Sequence, residues 1–297
     1  MPLEFDPVTI FDAVLGGILT GTVYALMATG LSLIFGVLDI IDVAQAAYVI
    51  LAAFLSLVLQ QQFHIDLFVG LLITMPLMFL LGLGVEVAFI RPIKRDRTQL
   101  SILVTFGIGL VIEGILGVRF GTTNYALDAW YVSSGVKIGN FYVAYIYIFA
   151  FILAVVLIAA LFFLLYRTKF GRSVRALMQN RTAAQLIGID VERVSAITFA
   201  IGVALTAAGG MAYGATTSFN NNSWYDLITR LFAIIILGGL GSVEGALIGA
   251  IIMLVLSDVT AVVWSPTWSS AVFFFALVLL LLFRPQGLFG RLATRKQ

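Results

Sequence analysis

Residues 236–250 read ILGGLGSVEGALIGA: five glycines, Ser242 and Glu244 set into an apolar run where an uninterrupted membrane helix would be expected. The chain around this run is 61% hydrophobic and 11% charged over 297 residues. An ordinary soluble domain is roughly 25% charged, and no soluble core of this length hides so much apolar surface. Apolar runs of about 20 residues recur, matching a hydrocarbon layer about 30 Å thick, and the alternating ten-residue segments of an outer-membrane barrel do not. The sequence therefore predicts an all-α, polytopic membrane protein forming a single domain over residues 1–297. Its start, MPLEFDPVTIFD, carries acids and no Lys or Arg, so it lacks the basic region of a cleaved signal peptide and the first helix is expected to stay. Without cysteine, the chain offers no disulfide, thiolate metal site or cysteine nucleophile.

Seven full spans are expected near residues 11–35, 44–61, 67–90, 98–118, 141–166, 194–215 and 266–283. Charge orients them. Of 17 Lys and Arg, fourteen fall in residues 91–97, 167–193 and the tail from Arg284. The positive-inside rule places those segments in the cytoplasm, the N-terminus in the periplasm and the C-terminus in the cytoplasm. Residues 119–140 and FNNNSWYD (219–226) then lie outside, where Trp130, Tyr131, Trp224, Trp264 and Trp268 suit an interfacial aromatic belt.

That orientation decides how the glycine run folds. Both flanks of residues 231–257 fall outside, which excludes a single crossing. These residues are too few for two upright spans. Two arms of about 12 to 15 residues remain, a re-entrant hairpin with the glycines at its tip. Irregular backbone at membrane depth survives only inside protein or beside water, because lipid offers no hydrogen bonds. Gly238, Gly239, Gly241, Ser242 and Glu244 are accordingly expected to line a path. The competing reading is one kinked helix packing through Gly241, Gly245 and Gly249. GGLGSVEG puts Glu244 where the third glycine of a dinucleotide fingerprint belongs, and no Lys-Ser/Thr follows to make a phosphate loop. No ATP or other cofactor is expected on this chain.

A second break, GVLDIIDVAQAAY (36–48), carries Asp39, Asp42 and Gln45. Transporters often build their paths from paired discontinuous helices, and a carboxylate at a helix start also caps orphan N–H groups. Path lining and capping are compatible here, and Gln45 shares a face with Asp42 at i+3. Glu86 and Glu113 are further carboxylates at membrane depth. Glu86 is expected to reach the cytoplasmic interface, and Glu113 to pair with Arg119. His64, the only histidine, falls in an outer loop and leaves no metal site or Ser-His-Asp triad to build.

The longest basic segment, YRTKFGRSVRALMQNRTAAQLIGIDVERV (166–194), predicts a surface helix over residues 173–186. Val174, Leu177, Met178 and Ala184 lie on one side, Arg181 interrupts them, and Gly188 stands at the C-cap. Such a helix is either a docking surface or a site for anionic lipid.

The order TGTVYALMATGLSLIFGVLDI, RTKFGRSVRALMQNRTAAQLIGIDVERV, LGGLGSVEGALIGA and FRPQGLFG resembles the permease subunit of branched-chain amino-acid ABC importers, the LivH type, over nearly the whole chain. The resemblance implies a non-catalytic transport subunit in the bacterial inner membrane. Its partners would be a homologous LivM-like permease, two ATPase subunits that bind ATP, a periplasmic substrate-binding protein and membrane lipid, without nucleic acid. Gly171, Arg172, Val174, Leu177, Met178, Arg181 and Gly188 would then belong to the element that seats on an ATPase. The chain has Asp42-Val43-Ala44-Gln45-Ala46 where the family usually has Asn-Phe-Ala-His-Gly, and related permeases carry urea, amides and aromatic acids as well as aliphatic amino acids. A self-contained secondary transporter or channel is the alternative from another class.

Overall fold

The computed structural model describes residues 7–93, 96–138 and 141–290. The acidic start, Lys94, Arg95 and the basic residues Arg291, Arg295 and Lys296 lie outside them. The elements are α1 (Pro7–Leu38), α2 (Gln45–Phe63), α3 (Leu67–Val85) continued by a π-helical turn (Glu86–Ile90), α4 (Arg97–Phe120), a short α5 (Trp130–Ser133), the hairpin β1 (Gly135–Ile138) and β2 (Phe141–Ala144), α6 (Tyr145–Arg167), α7 (Lys169–Gln179), α8 (Arg181–Leu186), α9 (Val191–Thr216), α10 (Trp224–Gly238), α11 (Val243–Val263) and α12 (Pro266–Phe283). Eight of the described helices are long and apolar enough to cross a membrane: α1, α2, α3 with its π-turn, α4, α6, α9, α11 and α12. The chain is a multi-pass, all-α membrane protein.

The expected span from residue 141 begins four residues late, because Phe141–Ala144 pairs antiparallel with Gly135–Ile138. The glycine hairpin differs more. Its first arm, α10, has 15 residues and its second, α11, has 21. At 1.5 Å per residue these are about 22 Å and about 31 Å, so only the second is long enough to cross fully. The first is short because the connection before it sinks into the bundle. Phe219 is fully buried, exchanges backbone hydrogen bonds with Tyr125 at 2.8 Å, and packs edge-on against Phe54. Trp224 follows at 1% exposure, with its indole N–H donated to Glu113 at 2.9 Å.

The centre of the bundle is α9. It is rich in Gly, Ala, Ser and Thr, and it is buried on all sides by α1, α2 and α3. Small residues allow this close approach where lipid tails supply no hydrophobic drive between helices. The most extensive pairing is α1 against α11, backbone to backbone: a Cβ on Gly17 would sit 2.5 Å from Val255 Cα. The lipid-facing sides are apolar, with Leu72, Leu103, Val111, Phe163 and Leu282 exposed.

The expected single helix over residues 173–186 is two. Thr168 accepts from Gly171 N–H at 3.0 Å and starts α7 earlier. Asn180, extended at φ −158°, breaks the helix and starts α8 by accepting from Ala183 N–H. Gly188 ends it in the left-handed region at φ +85°.

Candidate functional site

One end of the bundle gathers the Arg-rich segments, and the glycine tip lies there. Gly239 (φ +103°) and Gly241 (φ +78°) make the turn, and Ser242 starts α11 by accepting from Gly245 N–H at 3.0 Å. The arms touch through backbone: a Cβ on Gly238 would lie 2.3 Å from Gly245 O, and one on Gly245 would lie 2.1 Å from Gly238 O. A helix terminus leaves carbonyls without partners. Here the tail supplies them, Leu288 N–H donating to Leu237 O at 2.7 Å and Phe289 N–H to Gly238 O at 3.0 Å. The two distant glycine motifs LGGLGSVEG and FRPQGLFG are thus one structural unit.

The basic segment packs onto the same unit. Gly241 lies against Gly36 at the end of α1, and the same Gly36 meets Met178 of α7. Glu244, exposed, accepts from Tyr166 Oη of α6 at 2.8 Å. The Arg175 guanidinium stacks 4.9 Å from the Tyr166 ring and donates to Leu165 O. Gly171 is forced at the α6–α7 corner, where a Cβ would lie 2.2 Å from Leu165 O. An α7–Tyr166–Glu244 chain therefore ties the basic segment to the hairpin tip.

Within this segment Val174 is 0% and Leu177 4% exposed, both turned onto the chain's own bundle. An amphipathic helix beside an apolar bundle buries its stripe there first. The outward face instead presents Arg172, Gln179, Gly188 and, at 84% and 76% exposure, Leu186 and Ile187. Sequence reasoning missed those two because the expected helix carried its stripe past the break at Asn180. Arg181 turns into a cavity of about 230 Å³ shared with Glu86, Arg91, Ile93, Arg97 and Glu192. Arg91 pairs with Glu192 at 3.0 Å, and burial lowers the Arg181 guanidinium from its ordinary value while Glu86 and Glu192 oppose the shift. Glu86 is buried at a π-turn, where Arg91 N–H donates to its carbonyl at 2.7 Å. Such turns are frequent at functional sites.

The polar turn between α1 and α2 is held elsewhere. Asp39, exposed at φ +55°, offers its carbonyl to Thr98 Oγ1 at 3.2 Å. Asp42 is buried and accepts from Ala44 N–H at 3.1 Å, a bond of capping type. Val43 N–H donates to Thr105 Oγ1 of α4 at 3.0 Å. Gln45 lies between Gly30 and Gly202 and donates to Gly202 O at 3.4 Å. Among the described residues, Asp42 Oδ2, Gln45 Oε1 and Tyr48 Oη are buried without a partner. Glu113, expected to pair with Arg119, accepts from Trp224 and from Tyr225 Oη at 2.8 Å. His64 is exposed at a left-handed helix end.

The family model for the permease component of the branched-chain amino acid transport system matches residues 13–282. The chain belongs to that family. This permease is 25% identical to the high-affinity branched-chain amino acid transport system permease protein LivH of Salmonella typhimurium, across 94% of this chain and 95% of that one. BraD of Pseudomonas aeruginosa, described in the same words, is 25% identical over the same shares. The probable LivM permease of Methanocaldococcus jannaschii is 26% identical across 73% and 68%. No solved structure matches the chain. The chain is the permease subunit of an ABC importer.

Proposed function

We propose that this permease carries branched-chain or closely related amino acids across a bacterial cytoplasmic membrane as one of two homologous permeases. Its neighbour is LivM-like, a periplasmic binding protein delivers the solute, and two separate ATPase subunits hydrolyse ATP. The Arg-rich end faces the cytoplasm, with the N-terminus periplasmic. The observation that carries the reading is the surface at that end: exposed Leu186 and Ile187 on a segment wired through Tyr166 to the hairpin tip, within a chain that matches the permease family over residues 13–282. The absence of a phosphate loop from the sequence accords with ATP being bound by partners.

The apolar outer faces meet lipid, and nothing in the charge pattern calls for nucleic acid. Asp42 and Gln45 contribute to the path by holding buried polar capacity, and exposed Asp39 by pinning the turn to Thr98. Gly238, Gly239, Gly241, Ser242 and Glu244 contribute by transmitting motion of the coupling segment to α10 and α11. The test is uptake of radiolabelled leucine into proteoliposomes holding the complete complex. Uptake is expected only with ATP inside and binding protein outside. Uptake by the permease alone, without ATPase, would overturn the reading in favour of a self-contained transporter.

A further inference from the structure

The half of the bundle away from the Arg-rich end holds a second constellation that the coupling apparatus does not use. Arg230, on the second turn of α10, donates from Nε to Asp226 Oδ2 at 2.8 Å and from a terminal nitrogen to Ser270 Oγ of α12 at 3.4 Å. Its guanidinium lies 5.8 Å from the Phe273 ring, and its side chain is 21% exposed. On the next helix, Asp258 accepts from Thr20 Oγ1 of α1 at 3.5 Å and faces Gly16. Asp258 follows Ser257, whose hydroxyl bonds Ser269 of α12 at 2.7 Å, and Ser269 precedes the Ser270 that accepts from Arg230. Tyr24 of α1 and Tyr213 of α9 meet edge to face at 6.5 Å. One cation, two carboxylates and two tyrosines from four helices thus gather in that half of the bundle. Ionisable groups on membrane helices are costly, and they ordinarily face the bundle interior or a water-filled path.

The chemistry of the set is that of a zwitterion receptor. An Arg fork holds a carboxylate through two parallel N–H···O bonds. A carboxylate beside aromatic rings holds an ammonium group by charge and by cation–π attraction. A neutral solute would need neither charge, and an anion would be repelled by Asp258. The bond from Thr20 to Asp258 is long, and Thr20 Oγ1 also donates to Gly16 O at 2.9 Å, so the Asp258 carboxylate is weakly held by its own protein.

We propose that Arg230 and Asp258 form a contact site for a zwitterionic amino acid in the outer half of the path, the solute's carboxylate on Arg230 and its ammonium on Asp258. Thr20 and Tyr24 complete the site from α1. The proposal rests on the amino-acid reading above and names the groups that execute it. It also joins the two ends of α10, because the helix that carries Arg230 ends in the glycine tip held by the coupling segment.

The competing account is that Arg230 and Asp226, an i,i+4 pair, only pin α10 to α12. Leucine uptake by the complete complex separates the two. Arg230→Gln and Asp258→Asn are each expected to lower uptake about tenfold or more, the loss of one charge-assisted contact. The amount of permease in the membrane is expected to hold. The swap Asp226→Arg with Arg230→Asp preserves the pair but places a carboxylate at position 230, and is expected not to restore uptake. Arg230→Lys keeps the charge and loses the fork. It covers a glutamine variant that does not accumulate, and is expected to lower uptake several-fold at unchanged permease level. Full uptake by the swapped pair, or unchanged uptake in Arg230→Gln, would overturn the site. A wild-type complex that carries a neutral solute and no leucine would overturn the amino-acid reading and the site together, whereas failure of the site alone leaves wild-type leucine uptake intact.

Discussion

The chain breaks its helices in two places, and the two breaks are built in opposite ways. At the glycine tip the exposed backbone is satisfied: Leu288 and Phe289 donate to the last carbonyls of α10, and Ser242 caps α11. At the turn before α2 the backbone is also held, by Asp42 and Thr105, but the side chains are not. Asp42 Oδ2, Gln45 Oε1 and Tyr48 Oη are buried without partners among the described residues. A buried polar group left unmade costs about 1 to 3 kcal/mol, so the second break carries polar capacity that its own packing does not use. The first is a rigid joint, and the second is a place with chemistry in reserve.

The contrast is broken most severely by closing the joint. Gly238→Val forces a Cβ within 2.3 Å of Gly245 O, and backbone cannot yield as a side chain does. The expected result is loss of folded permease, about 3 kcal/mol or more, read as yield and as thermal unfolding in detergent. A folded, active variant would show that the arms are not clamped there.

A smaller effect follows from removing the tail. Ending the chain after Gly287 frees the carbonyls of Leu237 and Gly238, whereas ending it after Gly290 keeps both bonds. The shorter chain is expected to lose about 1 kcal/mol per freed carbonyl, about 2 kcal/mol in all, relative to the longer one. Equal melting temperatures would remove the tail from the joint.

The smallest change in stability is expected at the polar turn. Asp42→Asn keeps an acceptor for Ala44 N–H and gives the buried Oδ2 position a donor, so folding should shift by under about 1 kcal/mol while leucine uptake changes. A large loss of folded protein with unchanged uptake per molecule would make Asp42 a cap and nothing more.

Much of this architecture is legible in the sequence. Composition and charge bias give a helical bundle with an Arg-rich end, and the glycine run marks the turn between α10 and α11, whose helices reach from Trp224 to Val263 instead of stopping at residues 231–257. The sequence does not reveal that Phe219 and Asn221 sink into the bundle, because a polar outer loop and a buried one have the same composition, and that burial makes α10 the shorter arm. The apolar stripe of α7 was readable, but not which neighbour it meets: Val174 and Leu177 find their own bundle, leaving Leu186 and Ile187 outward. Arg230 and Asp258 stand 28 residues apart and become one site only because α10 and α11 fold back on each other. Single charges of this kind inside apolar runs carry no spacing signal.

The central claim is that the segment after α6 seats an ATPase through its outward face. The chain has no cysteine, so single cysteines at Leu186 and Leu177 report without background. Thiol cross-linking in the intact complex is expected to join Leu186→Cys to an ATPase subunit and to leave Leu177→Cys unlinked. A product from position 177, or none from 186 or from Ile187→Cys in a complex that transports leucine, would contradict it.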